Sequence, residues 1–212
     1  VVVTGTRNQT DIRYLPLTIS TVGRTQIEQR YETSLLPVLS EQVPGLFITS
    51  RGIMGYGLST GSAGAMKMRG IGGSPTTDML ILIDGHPQYM GLMGHSLADA
   101  YQSLLAEKVE VIRGPGSVLY GSNAMGGVIN IITRKQWNDG LNNHLRLAAG
   151  SFGTMAGNYT GMIKTGRFSG VLAAEYNRTD GHRSNKDFNQ LTGYRKLAYQ
   201  LATRWKLSAD RK

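Results

Sequence analysis

The residues best suited to chemistry lie close together in one short segment. His86, Tyr89, Met90, Met93 and His95 fall within ten positions of the chain. Imidazole and thioether groups are ligands for haem iron and for copper. The same residue types also occur by chance in polar loops. The sequence leaves both interpretations open, and we predict no resident metal site and no cofactor.

Sequence motifs for enzyme chemistry are absent. The chain has no cysteine, which excludes disulfides and thiol catalysis. It has no phosphate-binding loop, no dinucleotide fingerprint and no nucleophile elbow. Asp84 and His86 with a serine would suffice for a hydrolase, but Asp84-Gly85 directly after the apolar run Met79–Ile83 is typical of a turn. We therefore predict that the protein is not an enzyme.

Two arginines, Arg69 and Arg113, each come at the end of a predicted strand and are followed by glycine. An arginine at the end of a buried sheet needs a carboxylate partner, since an unpaired buried charge is costly. Glu107 and Glu110 are close in sequence, and a partner outside this chain would serve equally well.

The first residues, Val1–Gly5, are rich in β-branched side chains. Such a segment is either a frayed terminal strand or a strand that adds itself to the exposed sheet edge of another protein. Backbone groups make that second kind of contact, so it depends little on side-chain identity.

The net charge of +9 and the pI near 9.9 raise the alternative of a nucleic-acid-binding module. Residues 1–137 hold 11 basic and 9 acidic residues, a formal +2, whereas residues 138–212 hold 12 and 5, a formal +7. The basic residues of the last third are dispersed and lack a base-stacking motif. This distribution favours a solvated face over a nucleic-acid stripe.

Helix and strand patterns alternate as far as Thr133, which predicts an α+β domain with a mixed sheet and short helices. Glycine is plentiful there, and in the whole chain it reaches 28 of 212 residues, about twice the usual share of about 7%. The helices are predicted at Thr25–Arg30, Ser34–Gln42 and Leu97–Ala106 and the principal strands at Met79–Ile83, Val109–Arg113 and Val128–Thr133.

After Trp137 the period changes to two, which predicts four antiparallel strands at 143–150, 156–165, 168–179 and 193–206. Each has one small or apolar face and one polar face. A soluble meander and a transmembrane β-barrel both produce this pattern, and strands of roughly ten residues favour the barrel. Four strands cannot close a membrane barrel, whose smallest form has about eight, so we expect an incomplete barrel.

Taken together, the motifs resemble the TonB-dependent outer-membrane receptors of Gram-negative bacteria. VVVTGT resembles the TonB box, and LSEQVPGLFI, Arg69-Gly70, LIDG, VEVIRGPGSVLYG and NAMGGVINIIT resemble plug motifs in order and spacing. The resemblance implies a TonB box at 1–6, a plug domain at 7–136 and the first four or so barrel strands at 137–212.

The resemblance also implies a mechanism for energy-coupled uptake of a scarce nutrient. Its expected partners are the TonB C-terminal domain, with ExbB–ExbD behind it, a ligand such as a ferric siderophore, and outer-membrane lipid, with no nucleic acid. Haem, cobalamin and copper remain alternative cargoes. The TonB box would face the periplasm, with the plug inside the barrel lumen. A plug-like binding or signalling module without a barrel is a further alternative.

The resemblance assigns roles to particular residues. TonB would bind Val1, Val2, Val3, Thr4 and Gly5. Arg69 and Arg113 would lock the plug to glutamates of the barrel wall. Loops at 52–64 and 86–95 would form the apex, where we expect ligand contacts from Tyr56, His86, Tyr89, Met93 and His95.

Overall fold

The computed structural model describes residues 4–5, 10–30, 32–48, 66–73, 78–88, 102–182, 184, 187–202 and 205–211. The chain forms two compact units, Val1–Thr133 and Arg134–Lys212. The predicted domain boundary, after residue 136, lies three residues further along the chain. The helices in the described part of the chain are too short or too polar to span a bilayer.

The first unit contains eight described strands and three short α-helices. In chain order these are β1 (Ile19–Gly23), α1 (Arg24–Gln29), α2 (Leu35–Gln42), β2 (Leu46–Ile48), β3 (Met66–Met68), β4 (Ile71–Gly73), β5 (Met79–Ile83), β6 (His86–Pro87), β7 (Ala106–Ile112), α3 (Ser117–Tyr120) and β8 (Gly127–Thr133). They form a five-stranded sheet of order β1-β7-β8-β5-β6 and a three-stranded sheet of order β2-β3-β4. Only β5 and β8 pair in parallel, so the larger sheet is mixed, as predicted.

Local sequence explains how the two longer helices begin. The Ser34 hydroxyl accepts a hydrogen bond from the Leu36 N–H at 3.3 Å, which caps α2. Helix α1 begins one residue earlier than predicted, and Gly23 occupies its N-cap position. Gly23 has no side chain to cap with, and the Gln26 side chain accepts the Gly23 N–H at 2.9 Å.

The strands β5 and β8 of the larger sheet are buried on both faces. Every residue of β5 is buried, as its continuous apolar sequence predicts. One face packs on α1 and α2 in the main core, which includes Leu39, Ile81 and Val111. The other face supports a smaller apolar cluster formed by Ile19, Leu80, Leu82, Ile112, Ala124 and Val128.

The predicted helix at Leu97–Ala106 is wrong over its described end. Residues 97–101 lie outside the described part of the chain, Ser103–Leu105 form a single 3₁₀ turn, and Ala106 already belongs to β7. Contacts distant in sequence decide this segment. The Ser103 N–H donates to the Thr33 carbonyl at 2.9 Å and its hydroxyl donates to the Glu32 carbonyl at 2.6 Å.

The second unit is an antiparallel sheet in simple up-and-down order. Its strands are β9 (Gly140–Gly150), β10 (Thr154–Thr165), β11 (Phe168–Thr179), β12 (Phe188–Ala202) and β13 (Trp205–Arg211). The predicted count of four was one too low among the described residues. The last predicted segment, 193–206, spans two strands that pair with each other from Ala202 and Trp205. Period-two alternation carries no signal for a tight reversal, so the two strands resembled one.

The two faces of this sheet differ sharply. On one face Leu145, Tyr159, Leu172, Leu191 and Tyr199 are exposed, although all are apolar or aromatic. The opposite face carries the polar side chains, and several of these are buried: Thr160, Glu175, Asn177 and Thr179. Register places these two sets on opposite sides along neighbouring strands. The predicted two-faced pattern is therefore confirmed, with the apolar face outward.

Candidate functional site

The N-terminal segment is anchored to the first unit by Thr4, which is completely buried and uses all of its polar groups. Its N–H and its hydroxyl both donate to Glu110 Oε2, at 2.8 and 2.6 Å. Its hydroxyl oxygen accepts from Asn130 Nδ2 at 3.0 Å, and its carbonyl accepts from the Tyr120 hydroxyl at 2.8 Å. We call this arrangement the Thr4 dock.

Adjacent strands position the dock. Glu110 on β7 and Asn130 on β8 are direct register partners, so their side chains project from the same face of the sheet. That face carries the smaller apolar cluster through Ile112 and Val128. Tyr120 is the last residue of α3 and also packs against the cluster. The dock is therefore a small polar site on an otherwise apolar face of the sheet.

The buried charge of the dock is paired. Glu110 has no solvent exposure, and Lys108 Nζ lies 2.7 Å from its Oε1 atom. Lys108 and Glu110 are two residues apart on β7, which places both on one face. An isolated buried carboxylate would be strongly destabilising, and the lysine together with the two donors of Thr4 offsets that cost.

Asn130 links the dock to a turn. Its Oδ1 atom accepts from the Gly85 N–H at 3.1 Å, while its Nδ2 atom reaches Thr4. Asp84 and Gly85 have φ of 49° and 86°, the left-handed pair that a tight hairpin turn requires. The Asp84 carboxylate accepts from the N–H and the hydroxyl of Thr133, at 2.9 and 2.5 Å. These bonds fit the turn interpretation of Asp84 and occupy its carboxylate.

Gly5 continues the close fit of the N-terminal segment. A Cβ atom at this position would lie 2.6 Å from Leu15 Cδ1 and 3.0 Å from Ile19 Cδ1. Thr4 and Gly5 lie in a turn, and no ladder pairing involves them. Their predicted strand conformation is therefore not adopted here, because the backbone groups of Thr4 are bonded to Glu110 and Tyr120.

Most of the predicted ligand contacts cannot be placed. Tyr56, Tyr89, Met93 and His95, and likewise Val1, Val2 and Val3 of the predicted partner segment, lie outside the described residues. His86 is exposed at the start of β6. Because it directly follows Gly85, which Asn130 joins to Thr4, His86 lies near the Thr4 dock.

The two predicted locking arginines have different surroundings. Arg69 is exposed, has φ of 51° and donates its N–H to the Gly45 carbonyl at 2.8 Å. Arg113 follows β7 and is half-buried, and its backbone N–H donates to the Thr18 carbonyl at 2.9 Å. The Nε atom of Arg113 is buried and has no hydrogen-bond partner among the described residues.

Sequence reasoning did not assign Glu110, Asn130 and Tyr120 to one site. A signal for the first two was present, because each interrupts an otherwise apolar strand, VEVI and VINII. A polar residue within a buried strand must find a partner, so both positions could have been flagged. Nothing in the sequence indicates that Thr4, more than a hundred residues away, is that partner.

Two carboxyl groups of the first unit have displaced pKa values. Hydrogen bonding from Arg13 lowers the pKa of Asp11. Partial burial and the nearby Glu41 carboxylate raise the pKa of Glu32, and Arg30 opposes them. Neither group belongs to the Thr4 dock. In the part of the chain that the structure describes, no cluster of three or more metal-ligating side chains occurs.

Comparison with protein families matches the chain to the TonB-dependent receptor plug domain. It covers residues 11–128, more than half of the chain. The matched range therefore runs from before β1 to the start of β8 and contains the three helices of the first unit.

The curated relatives include an outer-membrane protein and a vitamin transporter. The chain is 38% identical over 136 residues to the iron-regulated outer membrane virulence protein of Vibrio cholerae, covering 59% of this chain and 19% of that protein. It is 34% identical over 133 residues to the vitamin B12 transporter BtuB of Vibrio vulnificus, covering 63% and 20%. The chain thus spans about a fifth of the length of these relatives.

Among solved structures, the pyoverdine outer membrane receptor FpvA of Pseudomonas aeruginosa has a TM-score of 0.80. The match covers 99% of this chain and 29% of that receptor, at 20% sequence identity. At this identity the likeness concerns the fold. The likeness extends across both units. The first unit resembles a plug, and the second unit resembles barrel strands.

Proposed function

Because the chain belongs to the TonB-dependent receptor plug domain family, we propose that it is the plug and first barrel strands of an outer-membrane nutrient receptor. The receptor takes up a scarce nutrient by energy-coupled transport and performs no catalysis. A ferric siderophore is the first candidate, with haem, cobalamin or copper as alternative cargoes. The plug, residues 7–136, closes the lumen of the barrel that begins at residue 137.

The observation that carries this proposal is the sheet of the second unit, which follows the plug fold in the same chain. Its apolar face is exposed and its polar face is partly buried. A soluble sheet buries its apolar face, whereas a membrane barrel directs that face to lipid and the polar face to the lumen. Lipid is therefore the occupant that suits the exposed Leu145, Leu172 and Leu191.

We propose that Val1–Gly5 binds the C-terminal domain of TonB by adding a strand to its sheet. Strand addition needs free backbone donors and acceptors. In the Thr4 dock the N–H of Thr4 is bonded to Glu110 and its carbonyl to Tyr120. The docked segment is thus unable to pair through Thr4, and binding requires its release. Release leaves Glu110 paired with Lys108, which limits the cost.

For the ligand, we propose contacts from Tyr56, His86, Tyr89, Met93 and His95. His86 is the member of this group whose surroundings are described, and it lies beside the turn that Asn130 joins to Thr4. A ligand held there would contact the region that anchors the N-terminal segment. Single alanine variants, assayed by equilibrium binding of a ferric siderophore, separate His86 from the other four. Unchanged affinity in all five would refute the assignment.

We propose that Arg113, with Arg69, locks the plug to the barrel wall. The buried Nε atom of Arg113, which has no partner among the described residues, supports a role toward a carboxylate supplied by the rest of the barrel. Arg113→Glu in the full-length receptor should raise passive leak of small solutes through the outer membrane. Arg178→Glu, on the exposed face of the second unit, is the control.

Uptake of a labelled ferric siderophore by cells tests the whole proposal. A strain lacking its own siderophore receptors should take up a labelled ferric siderophore when it expresses the full-length receptor containing this chain. Thr4→Pro should abolish uptake while leaving siderophore binding intact, because proline removes the backbone donor that strand addition needs. Uptake that persists in Thr4→Pro would refute the role of the segment. Failure with every candidate cargo would refute the receptor assignment.

A further inference from the structure

The exposed apolar face of the second unit carries two arginines along β9 to β12, Arg178 and Arg195, and no acidic residue in these four strands. Arg178 lies near the end of β11 and pairs with Asp180 at 3.1 Å. Arg195 lies in the middle of β12, directly opposite the exposed Leu172, and is exposed itself. The charge of Arg195 is therefore on the face that the proposed function directs to lipid.

The register between β12 and β13 adds a second arginine at the same place. Arg211 is the direct partner of Arg195. Directly opposite positions of an antiparallel pair lie on the same face of the sheet, and like charges at such positions destabilise the pairing. The repulsion is stronger where water is excluded, because the effective dielectric constant is lower there. The two positions therefore favour a bound anion that neutralises both arginines.

Arg195 lies within reach of a membrane interface. On the same face Phe168 and Tyr199 are register partners, with exposed fractions of 39% and 45%. Exposed aromatic residues form the girdles of a membrane barrel at its two interfaces. Arg195 precedes Tyr199 by four residues, which is about 13 Å along a strand. The tilt of barrel strands reduces this to a depth of about 10 Å, from which a long arginine side chain extends toward the headgroups.

Open space lies beside Arg195 on the side away from that interface. Gly193 is the next residue of β12 on this face, and its register partner is Ala174. Among the described residues, no atom lies within 4 Å of a Cβ atom added at Gly193. Leu191, which is 79% exposed, continues the apolar face beyond it. A lipid whose headgroup contacts Arg195 has its acyl chains on this side, and the depression over Gly193 accommodates one of them.

The chemistry of the two arginines favours a phosphate group as the anion. The planar guanidinium group binds phosphate through paired hydrogen bonds, and a phosphate has enough acceptor oxygens for two arginines. An ion dissolved in water is strongly disfavoured at a face surrounded by hydrocarbon. A phosphate that belongs to a lipid reaches this face together with its acyl chains, so a lipid is the source that suits the site.

We propose that Arg195 and Arg211 bind the phosphate group of an anionic phospholipid in the leaflet at the Tyr199 end of the second unit. An anionic lipid is preferred to a zwitterionic one, because the cationic group of a zwitterionic headgroup opposes the attraction to two arginines. This inference rests on the proposed function, because it requires the second unit to lie in a membrane. Inorganic phosphate has the same chemistry and is the alternative source of the ligand.

The test uses the full-length receptor in nanodiscs of phosphatidylglycerol mixed with phosphatidylcholine. Lipids retained after detergent extraction are counted by native mass spectrometry. Arg195→Gln should weaken retention of phosphatidylglycerol about fivefold, since each basic residue near an anionic headgroup contributes to its binding, and adding Arg211→Gln should weaken it further. Arg178→Gln is the matched control, because it removes an arginine of the same face that is already paired with Asp180, and it should retain lipid normally.

A second readout separates lipid binding from a general effect of charge on stability. In nanodiscs of phosphatidylcholine alone, Arg195→Leu should raise the urea concentration needed to unfold the receptor, because it removes a charge from the lipid-facing side. With phosphatidylglycerol present the gain should shrink, because the bound lipid stabilises the wild type. An equal gain in both bilayers would overturn the proposal.

A third arm titrates inorganic phosphate into the receptor in detergent. Phosphate binding that is lost in Arg195→Gln, without preferential retention of phosphatidylglycerol in nanodiscs, assigns the arginines to free phosphate and overturns the lipid proposal. Equal retention by wild type, Arg195→Gln and the control overturns it as well, and intact siderophore uptake by the wild type then shows that the proposed function stands. A wild-type receptor that does not insert into nanodiscs would refute the proposed function and this inference with it.

Discussion

The two units differ in which side chains they bury and which they expose. In the first unit apolar residues fill the interior, and the buried polar residues of the dock, Thr4, Glu110 and Asn130, are bonded to one another. In the second unit the apolar side chains of the sheet are exposed, and polar ones such as Glu175 are buried. This difference is the one expected if, as proposed, the first unit meets water or a polar lumen and the second unit meets lipid.

The largest expected effect comes from a charge placed on the exposed apolar face of the second unit. Leu172→Lys in the full-length receptor should lower the free energy of unfolding from lipid vesicles by about 2–4 kcal/mol, because lysine is costly at the lipid-facing centre of a strand. Folding measured by urea titration in vesicles checks this.

The matched control is Thr192→Lys on the opposite face, where the register partner is Glu175. It should cost less than about 1 kcal/mol, because a lysine beside a carboxylate is favourable. If Leu172→Lys is neutral or stabilising, the face meets water and the comparison between the units fails.

A smaller effect is expected from the Thr4 dock. Thr4→Val keeps the shape of the side chain but removes the bonds to Glu110 Oε2 and Asn130 Nδ2 that the hydroxyl makes. Leaving two buried polar groups without that partner should destabilise the docked segment by about 1–3 kcal/mol. Hydrogen exchange of the Gly5 amide reports the segment directly.

Thr21→Val, at an exposed position of β1, makes the same chemical change without a buried partner and should shift stability by less than about 0.5 kcal/mol. Equal exchange rates at Gly5 in wild type and Thr4→Val would show that the dock does not hold the segment.

Turns are where the two units should behave alike. Gly85 in the first unit and Gly166 in the second have φ of 86° and 54°, and neither has a neighbour within 4 Å of an added Cβ atom. Alanine at either position should cost about 1 kcal/mol from backbone strain alone. Gly73→Ala, where φ is ordinary and space is open, should be nearly neutral in thermal unfolding. A cost at Gly73 equal to that at Gly85 would disprove the backbone explanation.

The smallest expected effect is the pH dependence contributed by Glu32. Burial raises its pKa in the folded chain, so the folded state holds this proton more tightly than the unfolded state. Its stabilising contribution is present below the ordinary glutamate pKa of about 4.3 and is lost as pH rises through the raised value. Glu32→Gln should remove that slope, with a change below about 1 kcal/mol because the side chain is partly solvated. Chemical denaturation at several pH values measures it, and an unchanged slope would contradict the assignment.

Much of the fold could be predicted because its signals are local. The strand predicted at Met79–Ile83 and the period-two alternation predicted after Trp137 depend on neighbouring residues, and the structure confirms both. The helix over Leu97–Ala106 failed in its described part, since contacts to residues 32 and 33 outweigh local preference there. The fifth strand of the second unit was missed because alternation alone does not mark a reversal.

The sequence by itself determined the two-part organisation, the family resemblance and the two-faced character of the strands. Only the tertiary structure decided that Thr4 meets Glu110, Asn130 and Tyr120, and that Arg195 and Arg211 occupy opposite positions on one face of the second unit's sheet. The physical reason is the distance along the sequence over which each kind of interaction acts. Periodicity and turn chemistry act between neighbours in sequence, whereas a buried hydrogen bond or a cluster of like charges depends on which distant strands the fold brings into register.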